Sequence, residues 1–154
     1  MTRRKNKSKK TLNKKKNKHK YLFHISTAPR KFLQPRRTTF WGSTYDPDRW
    51  EALLFLCSKN EIRDWFDWVL KKFPNKEIWR NDKILQQGGY VTLYVHIVKV
   101  NIKDLFIPKN RYGKEFVIKK ALRPRKIVPV RYYSYKRIDL SRISTALIYL
   151  KKYS

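Results

Sequence analysis

The chain has 154 residues and a formal net charge of +28, from 39 Lys and Arg against 11 Asp and Glu. Its single Cys excludes an internal disulfide and a Cys-built zinc cluster, and no apolar run reaches the roughly 18 residues of a transmembrane helix. Four glycines, with no G-x-x-x-x-G-K-[ST] or G-x-G-x-x-G run among them, exclude the common phosphate-cradling loops.

Residues 1–20 form a basic low-complexity arm, expected to be disordered alone because it cannot bury enough apolar surface to offset ordering entropy. Its cations are Arg3, Arg4, Lys5, Lys7, Lys9, Lys10, Lys14, Lys15, Lys16, Lys18 and Lys20. No amphipathic face can be drawn on the arm, so it does not read as a cleaved transit peptide. An organellar form of the protein is then expected to be made in the organelle or imported without cleavage. Residues 21–45 read as an extended connector, because Pro29 and Pro35 disfavour helix. There Tyr21, Phe23, Phe32, Phe40 and Trp41 alternate with Arg30, Lys31, Arg36 and Arg37. Packing of those rings on the protein's own core is the preferred reading over stacking on unpaired bases.

Residues 46–154 are expected to form a single globular α+β domain. Asp46-Pro47-Asp48 suits a helix start, and Trp50, Leu53, Leu54 and Cys57 follow at helical spacing. Ser58 and Glu61 form a capping-box pattern for a second helix burying Ile62, Trp65, Phe66 and Val69. A third, shorter helix is expected from about Lys76 to Gln87, capped by Asn75 and ended by Gly88. After Gly88-Gly89 the period changes to two. Val91, Leu93, Val95 and Ile97 point one way, and Tyr90, Thr92, Tyr94, His96 and Val98 the other. Residues 115–120 and 127–135 are two further strands, with Pro129 arguing for an edge position or a bulge in the last. A closing helix, started by Asp139 or Ser141, would bury Ile143, Ala146, Leu147 and Leu150. The expected architecture is two or three N-terminal helices, a small antiparallel sheet of about three strands and a C-terminal helix.

No convincing catalytic constellation emerges, so the chain does not read as an enzyme, and no cofactor, metal or small-molecule substrate is implied. Cys57 with His96 would be a nucleophilic pair without local support. Asp104, Glu115 and Lys119 sketch a nuclease-like set at loose spacing. The stronger signal is charge. Residues 46–82 hold eight acids and seven bases, whereas residues 83–154 hold seventeen bases and three acids. Lys109, Arg111, Lys114, Lys119, Lys120, Arg123, Arg125, Lys126, Arg131, Lys136, Arg137 and Arg142 are interleaved with Tyr112, Tyr132, Tyr133 and Tyr135. Cations spread over loops and strand ends suit phosphate contact from several directions, rather than a helix laid in one DNA groove.

A basic arm, an aromatic–cationic connector and a basic core together resemble ribosomal proteins as a class, most of all a divergent organellar (mitochondrial) one, given the Lys, Asn, Ile and Tyr richness. That resemblance implies a structural protein that binds and neutralises rRNA in a ribosomal subunit. The Trp-rich 46–82 region would then face neighbouring ribosomal proteins, and no membrane would be involved. A cytoplasmic ribosome is the alternative location. A DNA-binding, nucleoid-type protein and an RNA-processing factor are the alternative functions.

Overall fold

Alternation over Val91–Asn101 yields the longest strand of the computed structural model, which describes residues 18–37, 52–71, 78–105 and 115–153. In chain order the elements are strand β1 (His19–Ser26), strand β2 (Arg36–Arg37), strand β3 (Ala52–Cys57), helix α1 (Ile62–Lys71), helix α2 (Ile78–Gln86), strand β4 (Val91–Asn101), strand β5 (Glu115–Ile118), strand β6 (Lys126–Tyr132) and helix α3 (Ser141–Tyr153). Five strands pair antiparallel in the order β5-β3-β1-β4-β6, and the two-residue β2 adds to the start of β3.

The expected order of helices, a three-stranded sheet and a closing helix is therefore wrong: the fold is mostly sheet, and the sheet begins first. Two segments account for the difference. Residues 52–57, taken for the first helix, are β3. Its residues Leu53 to Cys57 are all buried, Leu53, Phe55 and Cys57 toward one side and Leu54 and Leu56 toward the other. A strand covered on both faces is a continuous apolar run, and such a run also satisfies helical spacing. The second segment is residues 19–26, assigned to the arm and connector, which form β1 at the middle of the sheet. Its register runs from His19 opposite Asn101 to Ser26 opposite Tyr94. The cap expected at residues 46–48, and Trp50, lie outside the described residues.

One face of the sheet carries the main core. Phe23 and Ile25 of β1, Leu93, Val95 and Ile97 of β4, and Val128, Val130 and Tyr132 of β6 pack against Ile62, Phe66 and Leu70 of α1 and Ile143 and Leu147 of α3. Each such side chain contributes roughly 1.5–3 kcal/mol on burial. Helix α1 forms where the second helix was expected. Its capping box does not form: Ser58 makes no side-chain cap and leads into a 3-10 turn, Lys59–Glu61. The start of α3 matches expectation, with Asp139 Oδ1 accepting from Ser141 N at 3.0 Å and from Ser141 Oγ at 2.6 Å. Those bonds from Ser141 hold the exposed Asp139 carboxyl below its ordinary pKa. Pro129 does sit in an edge strand, since β6 ends the sheet.

Helix α2 ends as expected at Gly88. Gly88 adopts φ +81°, Gly88 N–H donates to Leu85 O at 3.1 Å, and Gly89 N–H donates to Ile84 O at 2.8 Å. This is the paired closure that a left-handed glycine permits. It delivers the chain directly into β4, with Tyr90 as the first side chain.

Among the described residues, the opposite face is covered only at one end. Leu22, Leu54, Leu56, Val98, Val100 and Ile118 form a second apolar cluster there, and Leu33 closes it. The cover is two straps, residues 27–35 and residues 119–125, the second crossing between the sheet's two edges. They are joined by reciprocal backbone bonds between Leu33 and Leu122, at 2.8 and 3.0 Å. Beyond the straps, no described residue covers the surface of β4 and β6 around the exposed Pro129 and Arg131.

Candidate nucleic-acid interface

Charge is distributed unequally between the two faces. Asp64 and Asp67 on α1, Asp82 on α2 and Asp139 before α3 all lie with the helices. Tyr135 Oη donates to Asp64 at 2.6 Å and Tyr132 Oη to Asp67 at 3.2 Å, so two of these acids are engaged inside the protein. Burial first, and Asp67 second, push the Tyr132 phenol up to about 12. Exposed Lys83 on α2 and Arg142, Lys151 and Lys152 on α3 stand among the helix-side acids, so the helix side is mixed, whereas the strapped face is cationic. Arg30, Lys31, Lys119, Lys120, Arg123 and Arg125 are exposed on the straps, and Arg131 is exposed on β6. Its acid Asp104 is paired with Lys120 at 3.2 Å.

Cations on this side stand over rings. Lys20 Nζ lies 4.6 Å from the centre of Phe116, Arg123 Cζ 4.8 Å from Phe32, Arg131 Cζ 4.5 Å from Tyr90 and Arg137 Cζ 4.2 Å from Tyr133. Attraction between cation and ring quadrupole holds each cation over its ring while leaving N–H groups for an anion. Phe32, 49% exposed, is thus not packed away in the core as the connector rings were expected to be, whereas Phe23 is fully inside and Tyr21 packs against it.

Strap placement has a polar anchor. His96 is completely buried between the sheet and strap 27–35. Its Nε2 accepts Arg30 N–H at 2.9 Å and its Nδ1 faces His24 O at 3.1 Å, so the proton sits on Nδ1. Burial holds its pKa below the ordinary histidine value. Ser26 Oγ donates to Ala28 O in the same bend.

The nucleophile pair is dismantled by topology. Cys57 belongs to the helix-side core and His96 to the strapped face, and burial raises the Cys57 thiol well above its usual pKa. Among the described residues, no three of His, Cys, Asp and Glu gather as a metal site, and no helix is long and apolar enough to cross a membrane.

Of the cations singled out by sequence, Lys18, Lys20, Arg30, Lys31, Lys119, Lys120, Arg123, Arg125, Lys126, Arg131, Lys136 and Arg137 are exposed. The side chains of Arg36 and Arg37, and all of Lys109, Arg111, Lys114 and the arm cations up to Lys16, lie outside the described residues. Sequence reasoning missed Tyr90, whose signal was its place on the polar side of an alternating strand just after two glycines. Trp65 and Trp68, in the region expected to face neighbouring proteins, stack edge-on at 5.4 Å and pack on Leu53, Phe55 and Val117. Compared with protein-family models, curated proteins and solved structures, the chain matches none.

Proposed function

We propose that the protein is a structural RNA-binding component of a ribonucleoprotein, in which its cationic strapped face and basic arm neutralise phosphates where RNA strands pack. The single observation that carries this reading is the unequal distribution of charge: exposed Lys and Arg dominate the strapped side, whereas acids and bases are mixed on the helix side. A surface of that polarity gains most from a polyanion laid along one side, and it releases counterions on binding. Composition favours an rRNA of a mitochondrial ribosomal subunit as that polyanion. The helix side, with Trp65 and Trp68 at its edge, is left for neighbouring proteins. No step of chemistry is assigned, and the protein acts as a scaffold.

Two measurements test the reading together. Lysate of the source cells, or their organelles, is sedimented through sucrose and the fractions are probed for the chain, which is expected with ribosomal particles. Purified protein is titrated with rRNA fragments between 50 and 200 mM salt, where about ten phosphate contacts would weaken affinity by roughly 10³–10⁵. A chain found at the top of the gradient, together with a shallow salt dependence, would refute the reading. Equal affinity for duplex DNA without particle association would favour a nucleoid protein instead.

A further inference from the structure

We propose that the open end of the sheet, built from Tyr90, Arg131, Tyr133 and Arg137, takes unpaired nucleotides by base stacking. This deepens the RNA-binding reading above and rests on it. The observation is geometric. Tyr90 and Tyr133 have ring centres 5.5 Å apart and planes inclined by 54°, and each ring is faced by a guanidinium. Tyr90 is 41% exposed although it precedes a strand whose other side is core, and both arginines are exposed. A tyrosine ring and a guanidinium plane are the two surfaces on which single-stranded bases stack. Two mutually inclined platforms suit consecutive bases that are splayed apart. Bases inside a duplex have both faces covered by their neighbours and cannot use them.

The platform is held in place before any ligand arrives. Residues 133–137 form a tight turn in which Tyr133 N–H donates to Arg137 O at 3.2 Å and Arg137 N–H donates to Ser134 O at 3.0 Å. Arg63 Nη1 donates to Tyr135 O at 2.7 Å, and Tyr135 Oη donates to Asp64, so the turn is tied to α1. The Gly88-Gly89 closure fixes the start of β4 and therefore Tyr90. Rings anchored this way lose little further entropy on binding, which favours stacking. A base enters on the outer plane of a guanidinium or replaces it on the ring, and the displaced cation meets the adjoining phosphate.

The full chain is tested with an unstructured 12-nucleotide RNA, and with the same sequence locked in a duplex capped by hairpins at both ends. A double variant, Tyr90→Ala with Tyr133→Ala, is expected to weaken single-strand binding by roughly tenfold or more. Capped-duplex affinity should hold within about twofold, because that term comes from phosphate contacts, and Tyr90→Phe with Tyr133→Phe should bind as the original does. In the unaltered protein, photocrosslinking to the same 12-mer carrying 5-iodouridine should map to Tyr90 or Tyr133. This readout does not depend on how the variants fold. Crosslinks confined to other residues, or equal loss of both ligands in a folded double variant, would overturn the proposal. Binding of the duplex without any single-strand preference would sink the stacking platform alone. Failure to bind either RNA would sink the RNA reading and the platform with it. A deoxy version of the 12-mer reports the strand source, and tighter binding of DNA than of RNA would overturn the assignment to RNA.

Discussion

The backbone N–H of Arg30 ends on the side chain of His96, 66 residues further along, at 2.9 Å from Nε2. Because Nδ1 of the same ring donates to His24 O, the neutral imidazole satisfies both partners and a protonated one cannot accept from Arg30. The first strap therefore depends on one uncharged histidine.

That dependence has a direction in pH. The pKa of His96 is lowered in the fold, so as pH falls the unfolded chain takes up its proton first. Stability should decline below about pH 6.5, with a slope approaching ~1.4 kcal/mol per pH unit until His96 itself titrates. Urea unfolding between pH 5 and 7.5 measures it. His96→Gln should be less stable at neutral pH and show a flatter profile, and an unchanged profile would contradict the role given to the ring.

Leu33 locks the two straps together and is only 1% exposed. Leu33→Ala should lower unfolding free energy by roughly 2–5 kcal/mol and speed hydrogen exchange at Leu122 N–H, which donates to Leu33 O. Unaltered exchange at Leu122 in a folded variant would mean that the straps are not coupled.

At Gly88 a side chain would be strained by φ +81°, and at Gly89 an added Cβ would lie 2.9 Å from Ile84 O. Gly88→Ala is expected to cost about 1–2 kcal/mol. Gly89→Ala should also destabilise, because a backbone oxygen has to move aside. Thermal unfolding of the two variants is the check.

Deleting residues 1–17, which carry nine Lys and Arg, should reduce RNA affinity and its salt dependence while leaving the sheet intact, because β1 starts at His19. Extending the deletion to Ser26 removes the central strand and should unfold the protein. Far-ultraviolet circular dichroism with filter binding separates the two outcomes.

Legibility in the sequence followed the length and purity of each pattern. Strand β4 was plain because Leu93, Val95 and Ile97 alternate with polar neighbours, and α3 was plain from Ile143 and Leu147 behind Asp139. Strand β3 was misread because Leu53 through Cys57 is apolar throughout, and only the pairing with β1 and β5 decides its conformation. Strand β1 was hidden by its basic start and by the prolines that follow it. The straps were illegible for a different reason: the contact between Leu33 and Leu122 spans most of the chain, and no local rule encodes it. For the same reason the cations could be named from sequence, but their shared face could not. Tyr90 and Tyr133 meet only because β4 and β6 pair.

Removing three charges from each face of the molecule in turn tests the central claim most directly. One variant carries Lys31→Gln, Arg123→Gln and Arg125→Gln on the strapped side, and the other Arg142→Gln, Lys151→Gln and Lys152→Gln on α3. Both lose the same net charge. The slope of log affinity for rRNA against log salt should fall by roughly 2–3 in the first variant and stay nearly unchanged in the second. Equal slopes in the two variants would mean that the strapped face is not where RNA binds.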